Sequence, residues 1–279
     1  MRKIDTKEIE ELIYKMALDA GVSLTDSCKK ALYAARDGET EGAAKFALGA
    51  LCDNFELAEN KKMPVCQDTG MAVVMMEIGQ EVFLEGAPLA EAVNSAVRRA
   101  YADGYFRKSV CDPITRRNTG DNTPAVIHTD IVAGDKINIT YIPKGFGSEN
   151  MSRVYMLKPA QGVEGIVDAI VETVKIAGSR PSPPVIVGGG FCGSFDTCTL
   201  RAKRALARAL GTRSQRDDVA DIENRALDKI NALGIGCQGF HGKITALGVN
   251  CEWAPTHIAG LPVAINIQCH CMRCRKEVL

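Results

Sequence analysis

The chain has no excess of charge of either sign: among 279 residues, Lys plus Arg and Asp plus Glu number 34 each. That balance removes the broad field that would draw nucleic acid or an anionic membrane surface, and leaves a small molecule or another protein as the expected partner. No apolar run reaches the roughly 18 residues of a membrane span. No secretory signal is expected, because Met1-Arg2-Lys3-Ile4-Asp5 leads directly into charged helical sequence. The expected location is therefore the cytoplasm. Internal repeats and low-complexity linkers are absent, so residues 1–279 are read as one domain. Several runs are rich in glycine, but none continues into Gly-Lys-Ser/Thr and none has dinucleotide-fingerprint spacing, which excludes the common nucleotide loops.

With 46% hydrophobic residues the chain can bury a substantial core. It also carries 11 cysteines, a high count for a chain expected in a reducing compartment. Thiols there act as small apolar fillers, as metal ligands, or as both. Cys28, Cys52 and Cys198 lie among Ala and Leu in helical patterns and are expected in the core. Cys66 is different. It sits in Pro64-Val65-Cys66-Gln67-Asp68-Thr69-Gly70, between a proline and polar side chains with a glycine close behind, the setting of a ligating or nucleophilic thiol. A second group closes the chain as Cys269-His270-Cys271-Met272-Arg273-Cys274.

Hydrophobic periodicity predicts an opening amphipathic helix on Ile4, Ile9, Leu12, Ile13 and Met16, with Asp5 and Glu8 as its capping box. Further helices are expected near Ala87 to Ala102, Gly162 to Ala177, Thr197 to Leu210 and Asp221 to Leu233. Strands are expected over Met71 to Ile78, Ala125 to Val132, Lys136 to Ile142, Pro183 to Val187 and Leu261 to Ile267. The mixture predicts an α+β fold, with helices around an interleaved mixed sheet. Three glycine-rich segments fall where strands end: Lys144-Gly145-Phe146-Gly147-Ser148, Gly188-Gly189-Gly190-Phe191-Cys192-Gly193 and Gly234-Ile235-Gly236-Cys237-Gln238-Gly239. Each is either a tight turn between packed elements or a place where backbone N–H groups approach a ligand. Three such segments beside exposed cysteines favour a lined pocket.

These residues resemble the α-type catalytic half of the iron–sulfur hydro-lyases, that is, the class I fumarases and tartrate dehydratases. The resemblance spans nearly the whole chain. It rests on the Cys66 heptapeptide, Asn118-Thr119-Gly120-Asp121-Asn122-Thr123-Pro124, Lys144 to Met151, Thr256-His257-Ile258-Ala259-Gly260-Leu261-Pro262, and Asn266-Ile267-Gln268-Cys269-His270, in that order. It implies a [4Fe–4S] cluster whose open iron acts as a Lewis acid on a small dicarboxylic acid while water is added or removed. Carried over by position, Cys66 and Cys269 are cluster ligands. Asp68 handles the proton at the substrate hydroxyl with His257 nearby, and Gln67, Arg107 and Gly147 contact substrate, Arg107 by clamping a carboxylate. The chain stops soon after Cys269, as two-subunit members do, which implies a separate β-type subunit that supplies the base for the carbon-bound proton.

Three departures from the family pattern stand out. Ser182, in Pro181-Ser182-Pro183-Pro184, occupies the position of the third thiolate, and its hydroxyl is a harder, less acidic donor. Phe146 replaces the middle of three glycines. Cys192, Cys237, Cys271 and Cys274 are extra, and Cys192, ten residues beyond Ser182, is the expected replacement ligand. Two other readings stay open: a non-catalytic binding or regulatory subunit, and a separate zinc or cluster site on Cys269, Cys271 and Cys274.

Overall fold

A computed structural model describes residues 1–279. In chain order the elements are β1 (Arg2–Asp5), α1 (Thr6–Val22), α2 (Asp26–Gly38), α3 (Gly42–Lys61), β2 (Met71–Gly79), β3 (Val82–Glu85), α4 (Leu89–Asp103), β4 (Val126–Val132), β5 (Ile137–Lys144), α5 (Phe146–Glu149), β6 (Arg153–Leu157), α6 (Gly162–Ala177), β7 (Val185–Gly193), α7 (Phe195–Ala205), α8 (Asp217–Asn231), β8 (Ala246–Thr256), β9 (Leu261–Gln268) and β10 (Arg275–Val278). The fold is α+β, as the periodicity predicts. Its strands, however, form three sheets, two of four strands and one of two, where the sequence suggested one interleaved sheet. No helix is long and apolar enough to cross a membrane.

Residues divide into two compact units, each discontinuous in sequence. The first comprises Met1–Thr25, Asn54–Phe146 and Arg273–Leu279. Its sheet has the order β10-β5-β2-β4, with β2 parallel to β4 and antiparallel to β5. Helix α1 begins at the capping box expected for it: Asp5 Oδ1 accepts from the Lys7 N–H at 2.9 Å, and Glu8 reaches back to the Asp5 N–H. Ile9, Ile13 and Met16 of α1 and Val93, Ala96, Val97 and Ala100 of α4 pack with Val74, Met76, Ile137, Ile139 and Tyr141 of the sheet. Alternation along β5 explains this side, since Ile137, Ile139 and Tyr141 point to the helices.

The second unit comprises Asp26–Asp53 and Gly147–Met272. Its sheet order is β6-β9-β7-β8, with β7 parallel to β8 and antiparallel to β9. Helices α6 and α8 cover one face through Ile166, Val167, Ile170, Val174, Val219, Ile222, Ala226 and Ile230. Strand β7 is longer than the sequence suggested and runs through Gly188-Gly189-Gly190. The three glycines are not a turn. A Cβ on Gly188 would lie 2.2 Å from the Ala202 carbonyl oxygen, and one on Gly190 2.2 Å from that of Cys198. Their absence of side chains lets α7 lie directly on the strand. Strand β8, hydrogen-bonded along the other edge of β7, had no clear alternating signal because Val249, Asn250 and Cys251 are all buried.

Candidate active site

In the first unit, the Cys66 heptapeptide is an irregular loop most of whose carbonyl oxygens accept hydrogen bonds. Val65 donates its N–H to Gly21 O at 3.0 Å and accepts from Asn54 Nδ2 at 2.9 Å. The Thr69 hydroxyl donates to Arg107 O at 2.8 Å, which ties the loop to the segment carrying Arg107. The buried Tyr101 hydroxyl lies 3.0 Å from Thr69 O and 2.7 Å from Gly70 O. Asn122, fully buried, donates through Nδ2 to Gly70 O at 3.2 Å and accepts the Ser109 N–H on Oδ1 at 2.7 Å. At Gly70, φ is +87° and a Cβ would lie 2.8 Å from the Pro143 carbonyl carbon, so glycine is required twice over.

Asp68 is the centre of this arrangement. Its Oδ1 accepts the Gly70 N–H at 3.1 Å and its Oδ2 accepts the Phe146 N–H at 2.9 Å. Its main-chain oxygen accepts from Nη2 of the buried Arg273 at 3.0 Å. The carboxylate is thus fixed in orientation by two N–H groups while remaining half-exposed, with lone pairs left over for another donor. Cys66 is half-buried beside it in sequence, and Gln67 and Arg107 are exposed. Asp68, Gln67, Cys66 and Arg107 all belong to this unit.

Phe146 does not fill a closed pocket: its ring is exposed, and its contribution is the N–H on Asp68. Gly147, the first residue of the second unit, is exposed and a Cβ there meets nothing within 4 Å. Sequence reasoning missed Arg273, Asn122 and Tyr101. All three act on backbone carbonyls, and their side-chain types carry no local signal of that task.

The second unit holds Cys269 just beyond β9. Gln268, 4% exposed, places its Nε2 3.6 Å from Cys269 Sγ and 3.0 Å from Cys271 O. Its Oε1 is buried without a hydrogen-bond partner. Nδ1 of His270 lies 3.1 Å from Ser182 O, bringing the Ser182 turn to the Cys269 segment. Pro183 O accepts both the backbone N–H and the Nε2 of Gln238, at 2.8 and 2.9 Å. Cys237, next in sequence to that glutamine, is fully buried, and burial pushes its thiol up to about 12. Cys28 is equally buried, its thiol likewise raised to about 12 by burial, and it donates to His270 O at 3.0 Å.

Register corrects two expectations. In the β7–β9 ladder Ile186 faces Gln268 and Phe191 faces Val263, so Cys192 lies at the opposite end of β7 from Cys269, about 20 Å away at the rise of an extended strand. Cys192 is buried against Cys198, Ala202 and Ala264 and cannot share a centre with Cys269 of the same chain. His257 is at that far end too, since its neighbour Thr256 donates its hydroxyl to Gly193 O at 2.8 Å. The length of β9, roughly 25 Å, separates His257 from Cys269. The imidazole is exposed and its Nδ1 accepts the Ala259 N–H within its own loop. His257 and Cys269 therefore stand at opposite ends of β9.

A self-contained C-terminal metal site is not formed either. No three His, Cys, Asp or Glu side chains gather closely enough to hold an ion, and Cys271 and Cys274 are buried. At the positions the family uses as ligands, Cys66 of the first unit is a half-buried thiol, and in the second unit Cys269 is a half-buried thiol and Ser182 a half-buried hydroxyl. The amide N–H directed at Cys269 Sγ suits a thiolate. A half-buried thiol is a soft donor of the kind iron–sulfur groups take, and a serine hydroxyl is a harder one.

A carboxylate fixed in orientation by two backbone N–H groups, on a loop that also carries a half-buried thiol, is an arrangement that can exchange a proton with a bound group. The family model of fumarate hydratase (Fumerase) matches residues 10–278, and the chain belongs to that family of hydro-lyases. It is 39% identical over 268 residues to the putative L(+)-tartrate dehydratase subunit alpha of Methanocaldococcus jannaschii, covering 94% of each chain. It is 28% identical over 266 residues to the L(+)-tartrate dehydratase subunit alpha of Escherichia coli (strain K12) and to that of Shigella sonnei, covering 94% of this chain and 88% of each relative.

Proposed function

We propose that the chain is the α-type half of an iron–sulfur-dependent hydro-lyase that adds water to, or removes it from, a small dicarboxylic acid of the tartrate or malate kind, completed by a β-type subunit. The observation that supports this reading best is the fixed Asp68 carboxylate, held by the Gly70 and Phe146 N–H groups at 3.1 and 2.9 Å. Cys66 and Cys269 are the thiolates that would hold the cluster, which when bound supplies a Lewis-acidic iron for the substrate hydroxyl.

The remaining work falls to the protein. Arg107 clamps one substrate carboxylate through two parallel N–H donors. Asp68 exchanges the proton at the hydroxyl that leaves or enters as water. Its orientation is set in advance, so little reorganisation accompanies the transfer. Gln67, exposed next to Asp68, offers an amide to the second carboxylate. The base for the carbon-bound proton belongs to the β-type chain.

The test is anaerobic co-expression with a β-type chain, followed by iron and labile-sulfide analysis and by assay of L-tartrate dehydration and fumarate hydration. The expected result is iron with sulfide, and turnover that falls at least about 100-fold in Asp68→Asn, the usual scale for a lost acid–base group. Iron without turnover on any dicarboxylate would favour a regulatory subunit and overturn the proposal.

A further inference from the structure

We propose that the outer edge of β4 is a dimerisation strand, which pairs antiparallel about Thr129 with β4 of a second copy of the chain. All of its residues belong to the first unit, and the pairing is independent of the iron–sulfur group. In the sheet order β10-β5-β2-β4, strand Val126–Val132 is hydrogen-bonded to β2 on one side and ends the sheet on the other. Register shows which backbone groups face outward. Val132 lies opposite Gly79, and its carbonyl oxygen accepts the Gln80 N–H at 2.7 Å, so Val132 is turned toward β2. Backbone direction alternates along a strand. Val126, His128 and Asp130 are therefore turned toward β2 as well, while Ile127, Thr129 and Ile131 direct their N–H and C=O groups off the edge.

Sheet edges are normally blunted by shortness, lysine, proline or a bulge. The opposite edge of this sheet, β10, is four residues long and carries Arg275, Lys276 and Glu277. Strand β4 has none of these guards. It runs for seven residues without lysine or proline and carries four β-branched apolar side chains, Val126, Ile127, Ile131 and Val132. Ile131 is 68% exposed, and Thr129 is exposed too.

The order of residues along the strand identifies the occupant. Val126-Ile127-His128-Thr129-Asp130-Ile131-Val132 reads the same in both directions except at His128 and Asp130, which are a base and an acid. Antiparallel pairing centred on Thr129 sets Val126 against Val132 of the second copy, Ile127 against its Ile131 and His128 against its Asp130, and two-fold symmetry repeats each pair. The outward groups of Ile127, Thr129 and Ile131 then meet as hydrogen-bonded pairs. His128 and Asp130 fall at the non-hydrogen-bonded positions, where opposed side chains come closest, so an imidazole N–H can reach a carboxylate oxygen in both symmetric pairs. Charge also selects this register. Sliding one copy by two residues would set Asp130 against Asp130 or His128 against His128. Complementarity of the strand to itself selects a second copy over an unlike chain.

The experiment is sedimentation velocity over a concentration series on the full-length protein, comparing wild type with Ile131→Lys, His128→Asp and the exchange His128→Asp/Asp130→His, with circular dichroism to confirm folding. Wild type is expected to be a dimer. His128→Asp sets like charges against each other in two symmetric pairs and is expected to raise the dissociation constant about 10-fold or more. The exchange puts acid against base again and is expected to return it to within about 3-fold of wild type. Ile131→Lys, which replaces an exposed apolar side chain by an edge-guarding ammonium, is expected to be monomeric. A Thr129→Cys variant reports the register directly. Residues paired across the axis lie about 5.5 Å apart at Cα, within disulfide reach, so mild oxidation should give a peptide that joins residue 129 of two chains, read by mass spectrometry. A monomeric wild type, a dimer indifferent to Ile131→Lys, an exchange no tighter than His128→Asp alone, or no cross-link at residue 129 would overturn the proposal. Protection of the Thr129 N–H from hydrogen exchange only when a β-type chain is added would assign the edge to that chain, and would overturn it too.

Discussion

Replacing Asn122 by alanine tests whether the Asp68 loop is held by the buried contacts described for it. The side chain is fully buried and makes two hydrogen bonds, accepting the Ser109 N–H at 2.7 Å and donating to Gly70 O at 3.2 Å. Gly70 O keeps the Tyr101 hydroxyl at 2.7 Å, so its loss is partly covered. Ser109 is exposed, so water can take over its N–H, and the lost hydrogen bond costs about 0.5–1.5 kcal/mol. Asn122 also has φ at +63°, which asparagine tolerates and alanine resists by about another 1 kcal/mol. The sum is about 1.5–2.5 kcal/mol. Urea unfolding followed by far-ultraviolet circular dichroism should show a lower midpoint for Asn122→Ala. Asn122→Gly should recover the backbone part, about 1 kcal/mol, but not the hydrogen-bond part. A variant within about 0.5 kcal/mol of wild type, the scatter of inconsequential surface changes, would refute the account.

Three further outcomes follow from the packing. Native apoprotein treated with an alkylating reagent and analysed by mass spectrometry should be modified at Cys66, Cys111 and Cys269, the half-exposed thiols, and spared at the eight buried ones; early labelling of Cys28 or Cys237 would contradict their burial. Burial raises the Cys28 and Cys237 thiols from 9.0 to about 12. The unfolded chain releases those protons first, so each thiol should lower folding stability by roughly 1.4 kcal/mol per unit as pH rises from about 9 to about 12, with no such contribution below that window; a flat alkaline profile in urea titrations would be inconsistent with it. Gly190→Ala should destabilise the chain by about 1–3 kcal/mol or more, because its Cβ would press on the Cys198 carbonyl at 2.2 Å; an unchanged thermal midpoint would mean that α7 yields freely.

Much of the fold was legible because single elements carried their own signals. The α1 capping box, the alternation in β5 and the apolar stripe of α6 each determine a local structure without help from distant residues. The Gly188–Gly190 run misled because glycine marks both a turn and a close helix contact, and only α7 packed on the strand distinguishes them. Cys66, Gln67 and Asp68 stand out in the sequence as a contiguous motif, and Arg107 entered by resemblance. Cys192 and His257 were misplaced for a shared reason. Motif order says nothing about which end of a strand a residue occupies, and the β7–β9 register puts both opposite Cys269. Asn122 and Arg273 were invisible as supports because their partners are backbone oxygens, which every residue has.

Strand β9 works as a spacer bar with chemistry at either tip, a histidine loop at one and a thiol at the other. Changes in the 257–260 loop can therefore alter what that surface meets without disturbing the sulfur, since a hydrogen-bonded strand flanked by β6 and β7 transmits little bending along its length. The two tips are free to be tuned separately, by substitution or by a bound neighbour, and a variant in the 257–260 loop should leave the alkylation rate of Cys269 unchanged.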